Sequence, residues 1–234
     1  MEKARAILRA NPGRAEAHLA MGKAYEEAGL YWEAIEAYSE AARLDPALAA
    51  AFRGLGVSYT KSGMFDEAIS AFKKAVGISS GYAEAHNGLG IAYASAGMNE
   101  MAIGAFREAV RADPAYAEAW GNLGLAYELS DRNSEARRAF EEAVRLRPGY
   151  PEALNGLGVA YMKEGRYEAA VGYLERAVRG RPGYARAHLN LGLSYIHLGE
   201  TDLAMREYHI LRELDPEMAE RLFNVAGRRE RGRR

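Results

Sequence analysis

Residues 87–97 read NGLGIAYASAG, and residues 155–165 read NGLGVAYMKEG. Each stretch sets three glycines among residues that otherwise favour a helix. Glycine costs a helix interior about 0.5–1 kcal/mol relative to alanine. A chain that accepts this cost repeatedly must offset it through packing between the copies.

Working outward, the second glycine of each stretch belongs to the series Gly22, Gly56, Gly90, Gly124, Gly158 and Gly192, in which every step is 34 residues. Three places on stands a tyrosine: Tyr25, Tyr59, Tyr93, Tyr127, Tyr161 and Tyr195. Twelve on stands an alanine: Ala34, Ala68, Ala102, Ala136, Ala170 and Ala204. Four further comes a large apolar residue, Tyr38, Phe72, Phe106, Phe140, Leu174 or Tyr208. A small residue follows at Ala41, Ala75, Ala109, Ala143 and Ala177, with Leu211 breaking the series. Prolines close the units at Pro46, Pro114, Pro148, Pro182 and Pro216, with Ser80 in one place and Pro12 one period early. Such self-similarity signals a repeat architecture.

The spacing inside a unit has helical logic. A His, Phe, Trp or Leu, then Leu or Met, Gly and Tyr, makes an i, i+3, i+4, i+7 stripe. The alanine, large residue and alanine at steps of four and three make a second stripe. Between them lies a turn signal at Gly29, Gly63, Gly97, Gly165 and Gly199; Asp131 takes that place within SDRNSE, where side-chain hydrogen bonds can turn the chain. The Asp-Pro or Arg-Pro after the second stripe ends that helix. Each unit is therefore an antiparallel pair, helix A then helix B.

This pattern resembles the tetratricopeptide repeat, or TPR, whose consensus places Trp, Leu-Gly, Tyr, then Ala, Phe, Ala and Pro at these offsets. Residues 117–148 are the fullest copy, with Trp120, Leu123, Gly124, Tyr127, Ala136, Phe140, Ala143 and Pro148. The resemblance covers residues 15–218 and implies an all-α solenoid, a right-handed superhelix of antiparallel helix pairs. The units are TPR1 at 15–48, TPR2 at 49–82, TPR3 at 83–116, TPR4 at 117–150, TPR5 at 151–184 and TPR6 at 185–218. Residues 1–14 match the end of a helix B, as a cap or as the edge of a longer chain. Residues 219–227 read as a C-terminal capping helix with Leu222, Val225 and Ala226 on its core stripe, and 228–234 as a disordered arginine-rich tail. Stacked pairs bury what one pair cannot, and the Leu-Gly glycines and helix-B alanines let two backbones approach. Gly54, Gly88 and Gly156 fall instead on the helix-A face turned towards the inner groove.

Composition narrows the function. Hydrophobic residues make up 49% of the 234, enough for a sizeable core, and the formal net charge of −1 gives no support to a general polyanion binder. The tail RRERGRR carries +4, leaving the rest near −5; so short a tail gives weak, salt-sensitive anion binding at most. The absence of cysteine excludes disulfides, thiol catalysis and thiolate metal sites. No apolar run is long enough to span a membrane, and the N-terminus is too polar for a secretory signal, so the cytoplasm is the default location.

Enzyme signals are absent. GLG at 54–56, 88–90 and 156–158 follows no strand and extends to no GxGxxG; no P-loop, HExxH or GxSxG occurs. No catalytic residue, cofactor or metal is expected. His18, His86 and His188 share one repeat position, about 10 Å apart in adjacent packed helices, too far to share an ion; they read as half-buried packing residues, and His197 and His209 as isolated.

Binding is the stronger case. In the TPR family, positions 2, 5, 9, 12 and 13 of helix A line the concave face. On that resemblance the partner-binding groove comprises Asn87 and Ile91 of TPR3, Leu125 and Glu128 of TPR4, Asn155, Val159 and Met162 of TPR5, and Arg186, Leu193, Ile196 and His197 of TPR6. Asn122 and Asn190 lie one place along, where family members use asparagine to grip a ligand backbone. A carboxamide both donates and accepts, as an extended peptide requires, and Gly88, Gly121 and Gly156 leave room for a main chain. The apolar members could take ligand side chains or an amphipathic helix. The Lys/Asn pairs at positions 5 and 9 that hold a C-terminal carboxylate in some relatives are missing, which disfavours a chaperone-tail adaptor. Glu16, Glu84, Glu118 and Glu152 at position 2 suit either a cationic partner or simply the helix dipole.

These readings converge on a non-catalytic scaffold that binds a peptide or helical segment of a protein partner. The alternative is the TPR portion of a larger enzyme, glycosyltransferase-like, or of a membrane-anchored assembly factor. RNA binding would want a basic groove, so no nucleic acid is expected. Exposed terminal repeats leave self-association open.

Overall fold

The computed structural model describes residues 1–232, with side chains through Gly227. Among the described residues the structure is all-helical, with no strand. The chain divides into two compact units, Met1–Ser130 and a second from Asp131. The first holds α1 (Glu2–Ala10), α2 (Ala15–Glu27), α3 (Tyr31–Leu44), α4 (Ala49–Lys61), α5 (Phe65–Ile78), α6 (Ala83–Ser95), α7 (Asn99–Ala112) and α8 (Ala117–Leu129). The second holds α9 (Asn133–Leu146), α10 (Pro151–Lys163), α11 (Tyr167–Gly180), α12 (Ala185–Leu198), α13 (Thr201–Leu214) and α14 (Pro216–Gly232). From α2 to α13, helix starts recur every 34 residues in both series. Within each unit, consecutive helices pack side by side, and each helix A also touches the next helix A.

The turn inside each pair closes without a side-chain cap. Gly29 takes φ 73°, in the left-handed region, while its N–H reaches the Glu26 carbonyl at 3.0 Å and the Leu30 N–H reaches that of Tyr25 at 2.9 Å. These are the two bonds of a Schellman motif, which satisfy carbonyls the helix leaves orphaned. The bond back to the motif tyrosine recurs from Met64 to Tyr59, Met98 to Tyr93, Arg166 to Tyr161 and Glu200 to Tyr195. The repeated tyrosine thus marks the helix terminus as well as the core. Asp131 is the one non-glycine residue at positive φ among those described, at 55°.

The helix-B alanines are buried, and so is Leu211. Burial of Tyr38, Phe72, Phe106, Phe140 and Leu174 explains the glycines. A Cβ at Gly22, Gly90 or Gly158 would stand 2.5 Å from Tyr38, Phe106 or Leu174 of its own repeat. The contact demanding glycine is therefore a side chain, not a second backbone. Gly54, Gly88 and Gly156 correct the sequence reading more sharply. They do not face an open groove: each is buried, with a Cβ 2.5 Å from the Tyr38 ring at Gly54, 2.5 Å from the Phe140 ring at Gly156, and overlapping the Phe72 ring at Gly88. The first-unit rings of Tyr38 and Phe72 are thus held between one glycine of their own helix A and one of the next, which locks consecutive repeats. No room is left there for a ligand main chain.

Helix α1 packs on α2, and α14 packs on α12 and α13. In α1, Ala4 packs with Met21 and Ala37. In α14, Ala219 and Leu222 are buried, and a Cβ at Gly192 would meet Leu222 at 2.5 Å, so Leu222 fills the place a ring takes elsewhere. Val225, expected on that stripe, is 38% exposed; it lies about 60° further round the helix from Leu222 at 100° per residue. The helix starts at Pro216, with the Asp215 carboxylate accepting the Met218 N–H at 3.0 Å, and continues to Gly232. Side chains from Arg228 on, and residues 233–234, lie outside the described residues.

Candidate functional site

Positions 5, 9, 12 and 13 of a helix A are i, i+4, i+7 and i+8, one stripe of its surface. In the first unit, α6 contributes Asn87, Ile91, Ala94 and Ser95, and α8 contributes Gly121, Leu125, Glu128 and Leu129, with Asn122 one place along at position 6. Ile91, Leu125 and Leu129 are 39%, 44% and 63% exposed, large apolar side chains presented to solvent. Ile91, Asn122 and Leu125 come together in an open hollow of about 300 Å³, with Phe106 and Ala126 as part of its lining. Asn87 is buried. Its Oδ1 accepts from Asn122 Nδ2 at 3.0 Å, and its own Nδ2 donates to the Tyr116 hydroxyl at 3.4 Å. Burial, with the charges of Glu118 and Glu84, pushes the Tyr116 hydroxyl up from its ordinary value.

The second unit repeats the asparagine pair. Asn155 is buried and accepts from Asn190 Nδ2 at 2.9 Å. Val159, Met162 and Leu193 are half-buried, while Arg186 and His197 are exposed. The His197 ring stacks on Tyr167 with centroids 4.2 Å apart. Ile196 is buried, so it belongs to the core rather than to an open surface. Position-2 acids are partly engaged: Glu152 pairs with Arg181 at 2.7 Å and Glu16 with Arg14 at 3.4 Å.

Sequence reasoning named all four asparagines but missed that they pair. The signal is present: both pairs are 35 residues apart, one more than the period, so position 5 of one repeat meets position 6 of the next. Position 6 is glycine at 54, 88 and 156, where it seats a ring, and asparagine at 122 and 190. At Asn122 and Asn190 the amide reaches back to the asparagine of the preceding repeat instead. A hollow beside Asn122 follows from that exchange.

The histidines have a structural task also missed in the sequence. His18, His86 and His188 each place Nε2 2.8–2.9 Å from the carbonyl six residues earlier, of Pro12, Ser80 and Pro182, and Trp120 Nε1 donates to Pro114 at 3.0 Å. Imidazole and indole are interchangeable there because both offer a ring N–H. His86→Trp is therefore expected to change unfolding free energy by less than about 0.5 kcal/mol, whereas His86→Leu costs about 1 kcal/mol through the lost hydrogen bond. Urea titration of the two variants measures the difference. Among the described residues no helix is long and apolar enough to cross a membrane, and no group of three or more His, Asp or Glu could hold a metal.

The model of the family described as the Cilia and flagella-associated protein 70 C-terminal domain, a TPR domain, matches residues 2–225. No curated protein sequence matches the chain. Among solved structures, the APC/C hetero-tetramer Cut9-Hcn1 contains a chain of 23% identity and TM-score 0.82, matched over 95% of this chain; the chain spans 44% of that protein. The pilF protein of Pseudomonas aeruginosa is 23% identical with TM-score 0.81, over 90% of this chain and 96% of its own. MamA is 30% identical with TM-score 0.63, over 71% of this chain and 97% of its own.

Proposed function

The chain belongs to the TPR family of the Cilia and flagella-associated protein 70 C-terminal domain, and from that premise we propose that it is a non-catalytic scaffold that holds a peptide or helical segment of a protein partner against its helix-A faces. The observation that carries this reading is the asparagine pair occurring twice, each time beside apolar side chains that are exposed or half-buried. A protein that needed these faces only for packing would bury the apolar groups and dispense with carboxamides. Each pair commits the Nδ2 of Asn122 or Asn190 internally and leaves the Oδ1 of that residue to accept a main-chain N–H. Leu125 and Leu193 then receive ligand side chains.

Affinity capture with the full chain tests this against Asn122→Ala plus Asn190→Ala, and against Leu125→Arg plus Leu193→Arg. Each double variant is expected to deplete the captured partners on the order of tenfold, the consequence of losing about 1.4 kcal/mol. An unchanged partner set retires the reading. Loss confined to a chain lacking residues 228–234 assigns the interaction to the arginine tail instead.

A further inference from the structure

The hollow between α6 and α8 is bordered by groups that specify more than a generic peptide. Its lining includes Ile91, Ala94, Phe106 and Leu125, and no charged side chain is among its lining residues. Asn122 stands within it, with Nδ2 given to Asn87 and Oδ1 left to accept. One helix away, α4 carries Arg53, Val57 and Lys61 at i, i+4 and i+8, the same stripe; neither cation forms an ion pair among the described residues. Lys61 occupies on α4 the place that Ser95 holds on α6 and Leu129 on α8. The surface therefore passes from cationic to apolar over one helix spacing, about 10 Å, or about three residues of extended chain.

We propose that this hollow takes a single aliphatic side chain of an extended partner segment, and that an aspartate or glutamate about three residues away in that segment meets Lys61 on α4. The proposal rests on the scaffold reading of the same face and adds the chemistry of the occupant. An uncharged apolar cavity excludes a charged side chain, because burying an unpaired charge is far costlier than burying a methyl group. Lys61, in no ion pair among the described residues, favours an acid there over a base, whereas Arg53, two turns away on α4, shares its surroundings with Glu84 and Glu118 around Tyr116. The acceptor Asn122 Oδ1 holds a main-chain N–H beside the anchored side chain. The corresponding positions of the second unit differ: Met162 stands for Ala94, Lys163 for Ser95, and the stacked Tyr167 and His197 for Asn99 and Leu129. Larger groups occupy that place, so the preference belongs to the first unit.

The test is selection from a synthetic library of random peptides, blocked at both ends, against the full chain, with affinities then read by fluorescence anisotropy. A length of about seven residues spans α4 to α8. The expected peptides carry Leu, Ile, Met or Val with Asp or Glu about three positions away. Ala94→Trp fills the hollow and weakens them on the order of tenfold, and Lys61→Glu weakens them about threefold, each with an unchanged Tm because both positions are exposed. Leu125→Glu serves as a second blocking variant. Selected peptides that bind Ala94→Trp and Leu125→Glu as well as wild type overturn the proposal, as does a library that yields no binder. If such peptides still lose affinity on Asn122→Ala or Leu193→Arg, the scaffold reading survives and only the hollow is wrong. If no groove variant matters, both fall.

Discussion

Gly88→Ala is expected to lower unfolding free energy by about 1–2 kcal/mol even though alanine is the better helix former. Gly104→Ala, the same substitution in the middle of α7, is expected to raise it by about 0.5–1 kcal/mol. Intrinsic propensity favours alanine equally at both sites, so the sign is decided by what the new methyl meets. At Gly104 nothing lies within 4 Å of the added Cβ. At Gly88 the methyl overlaps the Phe72 ring, which is already pressed on the other side by Gly56, where a Cβ would stand 2.7 Å away. Held from both sides, the ring cannot move aside, and overpacking a tight core costs about 1–3 kcal/mol. Phe72→Leu should relieve part of the clash, so the double variant loses less than the two single losses combined, with a coupling of roughly 1 kcal/mol. Urea unfolding of the four chains measures it. Hydrogen exchange should place the loss at the seam between α5 and α6, because repeat stability is a sum of units and nearest-neighbour interfaces. A stabilised Gly88→Ala would mean the ring is not the reason for the glycine.

The contrast between these glycines shows what the sequence could and could not disclose. A period of 34 is visible in one chain because the same helix pair is written six times, and the turn glycines and Asp131 are legible because few residues adopt positive φ. The solenoid follows from those two signals. Gly54, Gly88 and Gly156 were misplaced because the helix pattern reports only which face a residue is on. The ring against each of them comes from the preceding repeat, and no periodicity within one helix announces it. Asn87 and Asn155 escape the pattern for the same reason: taken singly, each looks like a ligand contact, but both are buried as acceptors for Asn122 and Asn190. Ile196 was assigned to the groove by position, yet it is buried. Contacts that cross a repeat seam are where a repeat alignment loses sight of three dimensions. That is also where the candidate site is built.

Glu207→Gln is expected to destabilise the last repeat by about 2 kcal/mol at pH 5.5 and by much less at pH 8.5. His188 and Glu207 retain only 6% and 12% side-chain exposure, and Nδ1 of the ring lies 2.6 Å from Glu207 Oε2 while Nε2 lies 2.8 Å from the Pro182 carbonyl. Both ring nitrogens thus face acceptors, and only the imidazolium can donate to both. Burial alone pulls the histidine pKa down. The hydrogen bonds to Glu207 and the Pro182 carbonyl, with the carboxylate's charge, outweigh it and hold the value above the usual 6.5. A folded-state pKa raised above the unfolded one adds stability that is complete below the unfolded value and disappears as pH climbs through the folded value. The pair joins α12 to α13, and the Glu207 Cβ lies 3.3 Å from the position of a Cβ at Gly192, the glycine against which Leu222 of α14 is seated. Loosening it should therefore loosen the terminal helix first. Tyr195 belongs to the same cluster, donating to Glu175 at 2.9 Å, and its hydroxyl is pushed far above its ordinary range, so it stays protonated across this interval. His18 and His86 share the carbonyl bond of His188, but alanines at 37 and 105 stand where Glu207 stands, so neither has this carboxylate. The difference in unfolding free energy between wild type and Glu207→Gln, followed from pH 5.5 to 8.5, isolates the pair from every other titrating group. A gap that stays constant across that interval would show that Glu207 does not hold the His188 proton in the folded chain.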